Sequence, residues 1–127
     1  WLLETHTHPE TGHLSVIGND GWFKRDARAA GPAHFDQQPL EAAGLIDACD
    51  AAFCVSAYQV WLDRIEKCFA WYYGTNDLGE SLIDPETGGC RDGLTPTAVN
   101  LNQGAESILA YLMSCQTLRA LADDGWK

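Results

Sequence analysis

The stretch QPLEAAGLIDACDAAFCVS (residues 38–56) decides the fold. Pro39 suits the first turn of a helix and Glu41 favours the positive helix end, so a helix starts here. Its apolar residues form no single stripe: Leu40, Gly44, Ala48, Ala51 and Val55 lie along one side, and Leu45, Cys49 and Ala52 along another. A helix apolar nearly all round is expected inside, and its many small residues let neighbouring helices approach closely. Residues 57–73 carry the opposite pattern. Tyr58, Trp61, Leu62, Ile65, Phe69 and Tyr72 recur at steps of three and four, while Asp63, Arg64, Glu66 and Lys67 fill the other face. That spacing predicts an outer, amphipathic helix, ended by Gly74. Residues 102–122 predict a third helix, in which Glu106 is the one charge before Arg119 and Ile108, Leu109, Leu112, Met113 and Leu118 are apolar. It again reads as an inner helix.

Inner, outer, inner is the order of antiparallel helical hairpins laid side by side, each giving one helix to a central layer and one to a peripheral layer. The expected class is therefore all-α: antiparallel helical hairpins forming part of an (α/α) toroid, with short β-hairpin or turn insertions, in one domain over 1–127. Both inner helices then run the same way, and the loops before them, 18–37 and 75–101, emerge at one end. Residues 1–4 suit a helix tail, and residues 14–17 have the composition of a short strand.

An internal repeat supports the arrangement. His8-Pro9-Glu10-Thr11-Gly12-His13 recurs as Asp84-Pro85-Glu86-Thr87-Gly88-Gly89, a proline-led turn closed by glycine. Each copy is followed by a glycine-containing acidic element and then by a polar helix opening, in which Gln38 precedes Glu41 and Gln103 precedes Glu106 by three residues.

The balance of 127 residues, 46% apolar and 20% charged, is that of a globular chain. Eight basic residues against 18 acidic ones leave a net charge of -10, which repels phosphate backbones and anionic lipid, so neither nucleic acid nor membrane is an expected partner. No run is apolar for long enough to span a bilayer, and the start has no signal-peptide pattern, so a cytoplasmic location is expected. Five cysteines, an odd number without a close C-x-x-C pair, argue for buried free thiols over disulfides or zinc.

If the two loops converge, they bring Asp20, Asp36, Glu41, Asp92 and Glu106 to one mouth with Gln37, Gln38, Asn100, Asn102 and Gln103. Paired carboxylates roughly 5 to 9.5 Å apart perform acid/base work at a glycosidic carbon, and amides bracket ring hydroxyls. Asp36, Asp92 and Glu106 are the catalytic candidates. Trp22 and Phe35 offer flat faces to a sugar, and His34 a hydrogen bond in the mouth. The bland readings stay open: Asp36 and Asn102 as helix caps, Glu41 and Glu106 as first-turn carboxylates on a helix dipole, Asp20 and Asp92 as turn residues. His6, His8 and His13 lack an evident third ligand, so no metal is assigned, and the chemistry calls for no cofactor.

GNDGWF (18–23), HFDQQPLEA (34–42), FAWYYGTNDLG (69–79), DPETGGCRDGL (84–94) and VNLNQGAES (99–107) resemble the final section of the (α/α) toroid domain that follows the transferase domains in bacterial group 1 glycosyltransferases, and the resemblance covers nearly the whole chain. Its fold is similar to that of six-hairpin glycosidases and sugar epimerases. The resemblance implies a carbohydrate-active toroid segment, the last quarter to third of such a domain, without the glycine-rich nucleotide-sugar site of the transferase domains. A saccharide or glycoconjugate is the expected ligand. The alternative is a non-catalytic helical module that docks on a glycosyltransferase domain or self-associates as a homo-oligomer, which covers apolar flanks left bare by an incomplete ring.

Overall fold

The computed structural model describes residues 1–21, 31–123 and 125; Trp22 lies outside them. The chain is largely helical. A short helix α1 (Leu2–Thr5) precedes the long α2 (Pro39–Ser56), α3 (Gln59–Ala70) and α4 (Ala105–Asp123), with a two-stranded antiparallel sheet, β1 (Gly93–Leu94) and β2 (Val99–Asn100), before α4. The three long helices appear where the apolar spacing puts them, with bounds that differ from the expected ones by at most three residues. α2 lies between α3 and α4 and packs on both.

Only Ala57 and Tyr58 join α2 to α3. Ala57 takes the left-handed conformation (φ 52°) and its N–H closes on the Phe53 carbonyl at 2.7 Å. Ser56 Oγ donates to the Ala52 carbonyl (2.7 Å) and accepts the Trp61 indole N–H (2.9 Å), which folds α3 back antiparallel to α2. The buried side of α3, Leu62, Ile65 and Cys68, meets Leu45, Ile46 and Cys49 of α2 in the core. Trp71 and Tyr72, both fully buried, extend that core past the end of α3. Burial of each contributes roughly 1.5–3 kcal/mol. The Tyr72 hydroxyl lies 3.0 Å from the Pro39 carbonyl and 3.3 Å from Ser114 Oγ, so the third turn of α4 stands beside the first turn of α2.

The repeated hexapeptide is realised bond for bond. In one copy His8 N–H donates to the His13 carbonyl (2.9 Å) and Gly12 N–H to the His8 carbonyl (2.9 Å). In the other, Asp84 N–H donates to Gly89 (2.9 Å) and Gly88 N–H to Asp84 (2.8 Å). The first side chain accepts the N–H two residues on in both, through His8 Nδ1 from Glu10 and through Asp84 Oδ1 from Glu86. Gly12 and Gly88 take left-handed φ values of 71° and 70°. Flanking pairs, Thr7 with Leu14 and Ile83 with Cys90, match as well. Of residues 14–17, only Leu14 makes a strand-like pair.

One expectation needs correction. α2 and α4 are apolar nearly all round, yet each is covered on one side only. Aligned on Glu41 and Glu106, they expose the same positions: Leu40, Gly44, Ala48, Ala51 and Val55 in α2, and Ala105, Leu109, Met113, Gln116 and Ala120 in α4. Val55 is 90% exposed and Leu109 58%. The covered side faces α3 and the loops; the other side meets nothing among the described residues.

Candidate functional site

The residues before α2 are tied to β1. Gln37 and Leu94 exchange both backbone hydrogen bonds at 2.9 Å, and a Cβ at Gly93, where φ is 151°, would fall on the Gln37 carbonyl oxygen. Glycine is therefore required at this contact. Asp92 joins the same segment to α4: its N–H donates to the Asn102 carbonyl (2.8 Å), and its Oδ1 accepts the Gly104 N–H at 2.6 Å. These links bring the segments that lead into α2 and α4 to one cleft of about 420 Å³, lined by residues 36–38, 92–95, 100 and 104–107.

Six of the residues singled out by sequence meet there: Asp36, Gln37, Gln38, Asp92, Asn100 and Glu106. Their circumstances differ. The Asp36 and Glu106 residues are exposed, and Asp36 does not cap α2, whose N-cap is Gln38. Asp92 is committed to the start of α4. Gln37 is wholly buried: its amide donates to the His34 carbonyl (2.8 Å) and Asp77 Oδ2 (2.5 Å), and its Oε1 accepts the Trp71 indole N–H (3.0 Å). Both amide hydrogens and one lone pair of the oxygen are thus taken up inside the protein.

Glu41 lies behind the cleft. Burial raises its carboxyl above the ordinary 4.5 and the neighbouring Glu106 charge adds to this, while backbone N–H groups of Glu41 and Gln38 pull the other way. The Gln38 contact is the reach-back of a capping box. Glu41 Oε2 is enclosed without a hydrogen-bond partner among the described residues.

The other candidates fall elsewhere. Gln103 donates to Asp84 Oδ2 (2.7 Å) and accepts from Thr87 (3.2 Å), which fastens the second hexapeptide turn to the approach of α4. Asn102 is exposed and contributes its backbone to the Asp92 link. The His34 side chain lines a separate cavity with residues 5, 7–9, 15–17, 32 and 33. Phe35 packs against the core, and Asp20 is exposed outside the cleft.

Sequence reasoning missed Thr95 and Ser107 in the lining, and it missed the support beneath. Asp77 Oδ1 pairs with His13 Nε2 at 3.2 Å while Oδ2 holds Gln37. Burial alone would raise the Asp77 carboxyl, but hydrogen bonds from Gln37, Ser15 and His13, with the His13 charge, hold it below the ordinary 3.8. His8 and His13 stack at 4.8 Å, each with Nδ1 on the Thr11 hydroxyl. Among the described residues, no group of three or more His, Cys, Asp or Glu is placed to hold a metal ion.

Among the described residues, no basic side chain lines the cleft. It presents carboxylates, which only accept hydrogen bonds, beside the amides of Gln38 and Asn100 and the hydroxyls of Thr95 and Ser107, which both donate and accept. No helix among the described residues is long and apolar enough to cross a membrane. The sequence matches no protein-family model, and no curated protein matches it.

Proposed function

We propose that the cleft between the starts of α2 and α4 binds a saccharide, in a helical-hairpin segment of the (α/α) toroid type associated with glycosyltransferases. One observation carries this reading: Asp36, in the loop before α2, and Glu106, in the first turn of α4, border the same cleft with Gln38 and Asn100. A sugar hydroxyl donates to a carboxylate and accepts from an amide, and this lining offers both. An anionic ligand would meet three carboxylates and, among the described residues, no countercharge. Asp36 and Glu106 are the pair available for proton transfer at a glycosidic bond, because one Asp92 oxygen is held by Gly104. In this reading Asp92 and Gln37 set the cleft walls.

Isothermal titration of the folded chain against neutral, amino and acidic mono- and oligosaccharides tests the proposal. Heat is expected with a neutral or amino sugar, with affinity lowered about tenfold or more in Asp36→Asn or Glu106→Gln. A folded chain that binds none of them refutes it. Turnover is read separately by following the anomeric protons of the bound oligosaccharide by NMR.

A further inference from the structure

We infer that His13, in its charged form, clamps the first hexapeptide turn onto Asp77 and through it onto Gln37, and that the clamp loosens when the imidazole loses its proton. This pH-sensitive device stands whether or not the cleft binds a saccharide. It follows from counting hydrogens along one line of contacts, from Trp71 through Gln37, Asp77, His13 and Thr11 to His8. At the inner end, the Trp71 indole N–H donates to Gln37 Oε1 at 3.0 Å, which turns the Gln37 amide nitrogen toward Asp77 Oδ2. The Asp77 carboxyl, held below the ordinary 3.8, is ionised near neutrality and only accepts. The ring nitrogen facing its other oxygen, His13 Nε2 at 3.2 Å, must therefore carry a hydrogen. At the outer end, His8 Nδ1 receives the backbone N–H groups of Glu10 and Thr11, both at 3.3 Å, and is the bare nitrogen of its ring. The second copy of the turn supports this direction, because Asp84 stands in the same place and takes the Glu86 N–H at 2.9 Å as an acceptor. The Thr11 hydroxyl, 2.9 Å from His8 Nδ1, gives its one hydrogen there. Its oxygen then presents a lone pair to His13 Nδ1 at 2.8 Å, so that nitrogen carries a hydrogen as well. An imidazole with both ring nitrogens donating is a cation.

The surrounding charges leave Asp77 as the deciding partner. His8, stacked on His13 at 4.8 Å, is the neutral ring of the two. Glu66 and Lys67 of α3 border the same cavity as His13 with opposite charges, and Glu4, Glu10 and Arg64 lie around the cavity on the His8 side. The His13 and Asp77 side chains are only 15% and 13% exposed, so their attraction is little screened. A neutral His13 has one ring hydrogen for two acceptors, Asp77 Oδ1 and the Thr11 oxygen. Asp77 is then a largely buried charge with no countercharge beside it among the described residues, and burial works against it. Its hold on Gln37 weakens, and Gln37 is the residue whose backbone pairs with Leu94 at the cleft wall. The clamp is closed while the imidazole is charged and opens as pH rises through the range of about 5 to 8 in which histidine side chains change charge.

Nitrogen-detected NMR of the imidazole rings, with the Trp71 indole N–H resonance as reporter of Gln37, tests the device in the native chain between about pH 6 and pH 8. Near the acid end both His13 ring nitrogens are expected to carry hydrogens while His8 is bare at Nδ1. Toward the alkaline end His13 should lose one hydrogen, and the Trp71 resonance should move in step with it. Thr11→Val removes the lone pair that faces Nδ1 and should lower the ratio of charged to neutral His13 about tenfold at a given pH. In His13→Gln and in Asp77→Asn the Trp71 resonance should no longer follow pH over this range, whereas Lys67→Met should leave the native behaviour unchanged. The dispersion of the amide spectrum establishes that each variant is folded. A native chain in which His13 carries one ring hydrogen at the acid end, or His8 Nδ1 is protonated there, overturns the inference. So does a Trp71 resonance that stays in place while His13 changes charge.

Discussion

Asp92 Oδ1 accepts the Gly104 backbone N–H at 2.6 Å, which places one of the three cleft carboxylates in the architecture of α4. This contact predicts a split between residues that sequence treats alike. Asp92→Ala should cost about 1–2 kcal/mol through the lost charge-assisted cap, seen as a fall in Tm of about 3–8 °C. Asp36→Asn, at an exposed position with no such contact, should leave Tm within about 2 °C. Equal losses for the two would show that the Gly104 contact contributes little.

Glu41 should titrate above 4.5 in a carbon-detected NMR experiment, because its carboxyl is enclosed. Glu106→Gln removes the neighbouring charge and should lower the Glu41 midpoint without returning it to 4.5, since burial is the larger cause. A folded pKa above the unfolded one means that the native state favours the protonated form, so this residue's penalty grows as pH rises through the midpoint.

Asp77 has the opposite sign. Its folded pKa lies below 3.8, so its stabilisation is fully present above that value and is lost as pH falls through the folded midpoint. Asp77→Asn should therefore lower stability at pH 7, with the gap to the native chain narrowing below pH 3.8 in urea titrations run along a pH series. A constant gap down to pH 2 would place the loss in packing, with no ionic part.

The cysteines should divide by reactivity. Burial pushes the Cys68 and Cys90 thiols up to about 12 and raises that of Cys49, whereas Cys54 is exposed. Alkylation followed by mass spectrometry should mark Cys54 first, and Cys68 and Cys90 only on unfolding, because thiolate fraction falls about tenfold for each unit the thiol rises above ambient pH. Early labelling at Cys90 would contradict the enclosed position beside β1.

Much of this structure was legible from periodicity. The steps of three and four in residues 57–73 could only be satisfied by a one-sided helix, and α3 is that. For α2 and α4 the apolar pattern gave helices but not their surroundings, since Val55 and Leu109 look the same in a sequence whether or not anything covers them. The meeting of Asp36, Asp92 and Glu106 followed from reading two loops to one end. The roles within that meeting did not follow. Gln37 and Gln38 are adjacent amides, and only the fold brings Trp71 and Asp77 against the first and leaves the second at the cleft wall. His13 and Asp77 lie 64 residues apart, and no local pattern signals such a pair.

The two hexapeptide turns close around an imidazole in one place and a carboxylate in the other, with the backbone unchanged. Such a loop is specified by where a lone pair stands and is indifferent to the atom that supplies it. A chimera with residues 8–13 and 84–89 exchanged should therefore keep both bends while moving the stacked histidine pair to the turn beside Gln103.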